Sequence, residues 1–205
     1  MAARVGSRRR VATLIGLVAI ALCAPATQAN ASLLGLSQNC GTATQPFKPF
    51  GDARYYTFGT NGGLESGGTG WSLAGSGVVG GNESYYVHSV SDRLSLSLPT
   101  GSSAMTPKLC MGTTSTVIRF FMKRNTAAGS LRVQVVLRNL VGSVIGVLDW
   151  TTVPGSQSWA PGPAVLNLDS LLGLLGVSSV QLKFTAQGGA FQVDDVYVDP
   201  WSSGN

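Results

Sequence analysis

Acid–base and nucleophilic chemistry has few residues to draw on in this chain: one histidine, His88, two glutamates, Glu65 and Glu83, and seven aspartates. A Ser–His–acid triad would have to use His88. That residue lies in Tyr85-Tyr86-Val87-His88-Ser89, which reads as the middle of a strand with the imidazole on a solvent or binding face, and no Gly-x-Ser-x-Gly elbow occurs anywhere. A glycosidase needs two carboxylates facing each other across a cleft. Both glutamates sit in or beside glycine-rich loops, and nothing in the spacing pairs them. Gly75-Ser76-Gly77-Val78-Val79-Gly80 matches the dinucleotide fingerprint G-x-G-x-x-G. That motif works only between a strand and a helix, whose N-terminus receives the pyrophosphate. Here Gly81-Asn82-Glu83 and the strand-like stretch 84–90 follow instead. The residues argue against an enzyme and for a binding or structural role.

The chain is 205 residues long, 44% hydrophobic and 11% charged, with 27 glycines and a formal net charge of +5. Low charge with abundant Leu, Val and Ile excludes disorder, and aperiodic glycine excludes collagen. The basic balance invites a nucleic-acid reading, but position removes it. Residues 1–31 read as an export signal: Arg4, Arg8, Arg9 and Arg10, an apolar stretch from Val11 to Ala24, then Ala29-Asn30-Ala31 as a cleavage site. The apolar stretch, about 14 residues, falls short of the roughly 20 that span a bilayer. Cys23 raises a lipoprotein alternative, which the large Leu22 before it disfavours. Cleavage takes four of the 14 basic residues and none of the nine acids, leaving ten against nine, or +1. The remaining basic residues are scattered, with Lys123-Arg124 the only adjacent pair, whereas a nucleic-acid binder clusters them. Of three cysteines, Cys40 and Cys110 survive cleavage, and an even pair in an exported chain reads as a disulfide.

These residues need a scaffold, and period-two alternation supplies it. Leu94, Leu96 and Leu98 alternate with serines; Leu131, Val133, Val135 and Leu137 alternate with Arg132, Gln134, Val136 and Arg138; Val180, Leu182 and Phe184 alternate with Gln181, Lys183 and Thr185. Each is the mark of a strand with one buried face. Further strands are expected at 55–58, 71–79, 85–90, 116–123, 144–150, 164–168 and 191–198, separated by Gly-, Ser- and Pro-rich connectors. The single helix expected is short, at 169–175, capped by Asn167 or Asp169. About ten short strands with this turn spacing predict an all-β antiparallel sandwich or jelly roll. Residues 32–59 read as an N-terminal extension pinned by Cys40, residues 60–200 as the domain, and 201–205 as a tail.

Asn61-Gly62-Gly63-Leu64-Glu65, a glycine-rich gap and Gly70-Trp71 resemble the opening of secreted carbohydrate-binding modules with a galactose-binding-like jelly roll. Phe191-Gln192-Val193-Asp194-Asp195-Val196-Tyr197-Val198 resembles their closing strand, and the stretch around Trp159 and 180–185 resembles strands between. The likeness spans Asn61 to Pro200; Leu64 stands where the family prefers Phe, and 32–58 has no counterpart. It implies a non-catalytic protein that binds a polysaccharide or cell-wall glycan. It also implies a structural calcium held by Glu65 with Asp194 or Asp195 and backbone carbonyls, in keeping with the six to eight oxygens calcium takes. Trp71, which follows a turn and opens a strand, is expected in the core.

Sugar faces stack on aromatic rings while a few polar groups fix hydroxyls. Tyr86, Trp150 and Trp159 are the candidate platforms, with Arg119, Arg132 and Gln134 as hydroxyl partners if the alternation holds. Tyr85 and Tyr86, as strand neighbours, are expected to face opposite ways. The alternative is a structural or adhesive envelope protein with the same fold and no sugar site.

Overall fold

The computed structural model describes Met1 and residues 40–110, 117–165 and 177–199. The chain divides into two units, Met1–Ala31 and Ser32–Asn205, and the architecture below is that of the second. The export signal, the tail and the helix expected at 169–175 lie outside the described residues. Among the described residues no helix is long and apolar enough to cross a membrane.

The protein is an antiparallel β-sandwich. Its strands are β1 (Ala43–Thr44), β2 (Tyr56–Phe58), β3 (Ser72–Ala74), β4 (Gly77–Gly80), β5 (Leu94–Leu98), β6 (Ser103–Met105), β7 (Val117–Arg124), β8 (Ser130–Arg138), β9 (Val144–Val153), β10 (Ala160–Pro161), β11 (Ser179–Gln187) and β12 (Phe191–Asp199). The smaller sheet runs β3-β6-β11-β8-β9. In the larger sheet β12 is central: β5 and β2 pair with successive parts of one edge and β7 pairs with the other, while β4, β1 and β10 add to β5, β2 and β7. The expected alternation is what seals the two together. Leu131, Val133, Val135 and Leu137 of β8 and Val180, Leu182 and Phe184 of β11 are all fully buried, facing Ile118, Phe120, Phe191 and Val193 of the larger sheet. Trp71 joins this core and donates its indole N–H to the Asn61 carbonyl at 2.9 Å.

β12 breaks its own pattern once. Phe191 and Val193 face the core, and so do Val196 and Val198, which is a change of parity. The register against β7 slips between Asp194 and Tyr197. One extra residue in a strand is a β-bulge, and here it is the Asp194-Asp195 pair, with Asp195 at φ 47°. The bulge lies where β12 passes from β5 to β2, and the turn at 59–63 fills that gap. Gly59 N–H donates to the Val196 carbonyl at 2.9 Å, and Val196 N–H donates to the Gly62 carbonyl at 3.2 Å. A Cβ on Gly62 would stand 2.6 Å from the Val196 oxygen, so only glycine lets the turn approach this closely.

The stretch read as an extension is built into the fold. β2 pairs with the central strand and β1 pairs with β2, so the boundary drawn at 59/60 cuts through the larger sheet. A short 3-10 turn, Lys48–Phe50, lays aromatic side chains on the sheet's outer side. Phe47, Tyr56, Val117, Phe121, Trp159 and Tyr197 form a second buried cluster there. Asp52 locks it, accepting from Tyr56 Oη at 2.7 Å and Arg119 at 2.6 Å, while the Arg119 guanidinium lies 4.7 Å above the Phe47 ring. This is why β12 is buried along nearly its whole length. The expected disulfide joins Cys40 to Cys110.

Three strand expectations fail for identifiable reasons. Residues 85–90 are a loop, because the Glu83 carboxylate takes the Tyr85 and Val87 amides at 2.5 and 2.6 Å, leaving them unable to enter a ladder. His88 is therefore not on a strand; Tyr85 and Tyr86 are both about half exposed, and Tyr85 packs its ring on Phe50 and Phe121. The expected strand 71–79 is two, β3 and β4, which lie in different sheets; Gly75, at φ 70°, stands between them. Of 164–168, Val165 makes a single bridge to Ile118, and the residues after it lie outside the described set. β6 went unforeseen, since Ser103-Ala104-Met105 carries one apolar residue facing the core.

Candidate functional site

Two places concentrate polar chemistry. The first is a cluster of carboxylates where the bulge of β12 meets the turn at 61–65 and the loop 83–92. Glu83, Asp194 and Asp195 are fully buried and Asp92 is nearly so. Asp194 is satisfied by the chain itself, accepting from the Glu83 amide through Oδ2 and from the Asp195 amide through Oδ1, both at 2.9 Å. Glu65 Oε1 accepts the Arg93 and Leu94 amides at 2.8 Å, which fixes the start of β5. Asp92 Oδ2 lies 2.6 Å from His88 Nδ1. The His88 ring in turn stacks on Phe58 with centroids 3.7 Å apart. Asp195 differs from the rest: neither carboxylate oxygen makes a well-formed hydrogen bond among the described residues, the His88 amide alone approaching it.

So many acids with so little compensation raise one another's proton affinity. Burial, then the neighbouring Asp195 charge, pushes Asp194 up to about 9. Burial, then Glu83 and Asp92, pushes Asp195 up to about 8. Burial raises Glu83 as well, although the Tyr85 and Val87 amides pull it back. Among the described residues, His88 is the one basic side chain within 4 Å of any of their carboxylates. Asp52 shows the opposite balance: burial alone would raise it, but Tyr56, the Arg54 amide and Arg119 hold it below the ordinary carboxylate value.

The calcium set expected from sequence is Glu65 with Asp194 or Asp195 and backbone carbonyls. Asp194 and Asp195 are neighbours on the bulge, and the Glu65 charge acts on Asp195. Ligands of one calcium lie 2.3–2.6 Å from the ion, hence within about 5 Å of each other. The group of three potential ligands found this close among the described residues is His88, Asp92 and Asp195, whose ligand atoms all lie within 4.8 Å of one another. Asp194 and Glu65 instead spend oxygens on backbone amides. Neither His88 nor Asp92 was legible as a ligand, because the contact depends on a loop that the sequence presents as a strand.

The second place is the outer face of the smaller sheet, where a groove of about 360 Å³ crosses β3, β6, β11, β8 and β9. Its floor includes Leu73, Met105, Val136 and Val147, and its polar groups are Gln134, Arg138 and Lys183. Arg138 is held by the Gln181 side chain and by the Gly142 carbonyl at 2.7 Å. On the same face Arg132 grips Asp149 with two hydrogen bonds of 2.6 Å, across the exposed surface.

The six residues named for sugar binding are dispersed by this fold. Arg132 and Gln134 share the outer face of the smaller sheet. Trp150 comes from the same sheet and packs inward against the core. Trp159 is 8% exposed in the second aromatic cluster, with the Lys123 ammonium 5.0 Å from its ring. Arg119 is part-buried in that cluster, paired with Asp52. Tyr86 stands half exposed at φ 51° on the loop 83–92. Lys183 and Arg138 escaped notice as ligand groups, though their place in the alternation of β11 and β8 signalled the outward face.

No protein-family model matches the chain, and no curated protein matches it. Its fold is that of the carbohydrate-binding modules among solved structures. It is similar to the CBM22-1–GH10 modules of the Clostridium thermocellum N-terminal endo-1,4-beta-D-xylanase 10B, solved with xylohexaose, at a TM-score of 0.50 and 12% identity, over 71% of this chain and 28% of that one. It is equally similar to the enzymatically active domain of bacteriophage CBA120 tailspike protein 4, at a TM-score of 0.50 and 11% identity, over 68% of this chain and 20% of that one. The chain thus spans a fifth to a little over a quarter of those chains.

Proposed function

We propose that this chain is an exported, non-catalytic carbohydrate-binding protein that takes a polysaccharide or cell-wall glycan on the outer face of its smaller sheet. The observation carrying this reading is the groove itself: an aliphatic floor for the C–H faces of sugar rings, edged by an amide, an ammonium and a guanidinium able to meet hydroxyls. The floor is built from Leu, Met and Val instead of aromatic rings, so specificity falls on Gln134, Arg138 and Lys183. The fold likeness supports the reading, and the xylohexaose held by one neighbour makes a β-1,4-linked xylan the first ligand to try. The export signal read at 1–31 and the Cys40–Cys110 disulfide support an oxidising compartment outside the cytosol. A catalytic role is disfavoured by burial: Glu83, Asp194 and Asp195 have no solvent face from which to reach a glycosidic bond, and Asp149 is occupied by Arg132.

Retention of the mature protein on insoluble xylan, cellulose, galactan and isolated cell wall tests the reading. Lys183→Ala and Gln134→Ala should each weaken retention about tenfold, the equivalent of one hydrogen bond to a charged or well-placed group. Trp150→Ala and Trp159→Ala should act through stability alone. Absence of retention on every surface would overturn carbohydrate binding in favour of a structural envelope role. Retention indifferent to both groove variants would overturn the groove.

A further inference from the structure

The Asp195 carboxylate is fully buried, neither oxygen makes a well-formed hydrogen bond and only the His88 amide approaches it, and it shares a 4.8 Å neighbourhood with ligand atoms of His88 and Asp92. A buried carboxylate demands compensation by donors, protons or a cation. The bulge fixes where its side chain leaves the strand, because Asp195 is held at φ 47° between Gly62-bound Val196 and Glu83-bound Asp194. The aromatic stack on Phe58 likewise fixes the plane of the imidazole. Glu83, Asp194 and Glu65 bring further carboxyl groups around the three.

We propose that His88, Asp92 and Asp195 form a site for a divalent cation of the zinc class, in preference to calcium. Calcium and magnesium select oxygen ligands, whereas an imidazole beside two carboxylates suits the borderline first-row ions. Three protein ligands with one side open is the arrangement in which zinc completes its shell with water. Of the three, His88 is the one with solvent access: it is 37% exposed and lines a recess of about 390 Å³ together with Phe58, Val87 and Tyr197. An ion arriving there would tie the loop 83–92 to the bulge of β12, joining two segments that otherwise meet through backbone amides.

Calorimetric titration of the chelator-treated, tag-free mature protein with zinc chloride and with calcium chloride tests the proposal. Zinc should bind at least tenfold more tightly than calcium and raise the melting temperature. His88→Ala, at an exposed position, should lower zinc affinity at least tenfold, in line with losses seen on disturbing a metal's ligand set, while leaving the melting temperature in chelator little changed. Asp195→Asn should do the same, and because it alters a buried residue, cobalt(II) binding to the unmutated protein supplies an independent reading. His88 is the only histidine in the chain, so paramagnetically shifted imidazole protons report on it alone. Calcium binding more tightly than zinc, neither ion binding, unshifted imidazole protons, or undiminished zinc affinity in His88→Ala would each overturn the proposal.

Discussion

Asp194 and Asp195 show how far a side chain's chemistry is set by where the backbone puts it. Adjacent on an extended strand, they would point to opposite faces; on the bulge, both carboxylates are buried beside Glu83. Their proton affinities carry a consequence for stability whose sign is fixed. An ordinary aspartate ionises near 4 in the unfolded chain, while the folded pair is held up at about 9 and about 8. Between those values the folded state binds more protons than the unfolded one, so stability is greatest near pH 4 and falls as pH rises towards 9. Denaturation midpoints at pH 5, 7 and 9 in chelator should decrease in that order, and a midpoint that rises to pH 9 would show the pair compensated within the fold. Asp52 works in the other direction, contributing fully above about pH 4 and less below it, because Tyr56, Arg54 and Arg119 favour its ionised form.

At the scale of elements, legibility followed burial. β8 and β11 were readable because every second residue, Leu131 to Leu137 and Val180 to Phe184, enters the core, while the other face carries mostly polar side chains, although Gln134, Val136 and Gln181 are themselves buried. The loop 83–92 was not readable, since Tyr85-Tyr86-Val87 has strand composition and only a carboxylate in the same turn diverts its amides. The direction of Trp150 was hidden for a related reason: a register shift between Val133 and Gln134 interrupts the pairing of β9 at this residue, and no spacing along the chain announces it. The turn at 59–63 was legible as a motif but not in its purpose, which is to back against a bulge 130 residues away. The segment around β1 and β2 was legible least, because its aromatics act only through the sheet they cover. Phe47 is fully buried, 5.1, 5.3 and 5.6 Å from the rings of Tyr56, Phe121 and Tyr197. Phe47→Ala should therefore cost about 3–4 kcal/mol in urea denaturation, as for other buried phenylalanines. A loss below about 1 kcal/mol would mean that the segment rides on the sheet without supporting it.

For the molecule as a whole, the sandwich exposes one broad sheet face and covers the other with chain from its own N-terminal side. The Cys40–Cys110 bond closes a span of 70 residues around that covered side. Chain entropy assigns such a closure about 4 kcal/mol, or roughly 10 °C of melting temperature for a domain of this size. The double variant Cys40→Ser/Cys110→Ser should show a loss of that order, and equal melting of the two forms would place the stability elsewhere. The position of β12 has a consequence in time. It is synthesised after every other described strand, yet it occupies the centre of the larger sheet and pairs with β2, β5 and β7. Until residue 199 has left the ribosome those three strands have no common partner and the core lacks one wall. A growing chain of this design cannot complete the larger sheet early, and holds β2, β5 and β7 without their shared neighbour until its last described strand has been made.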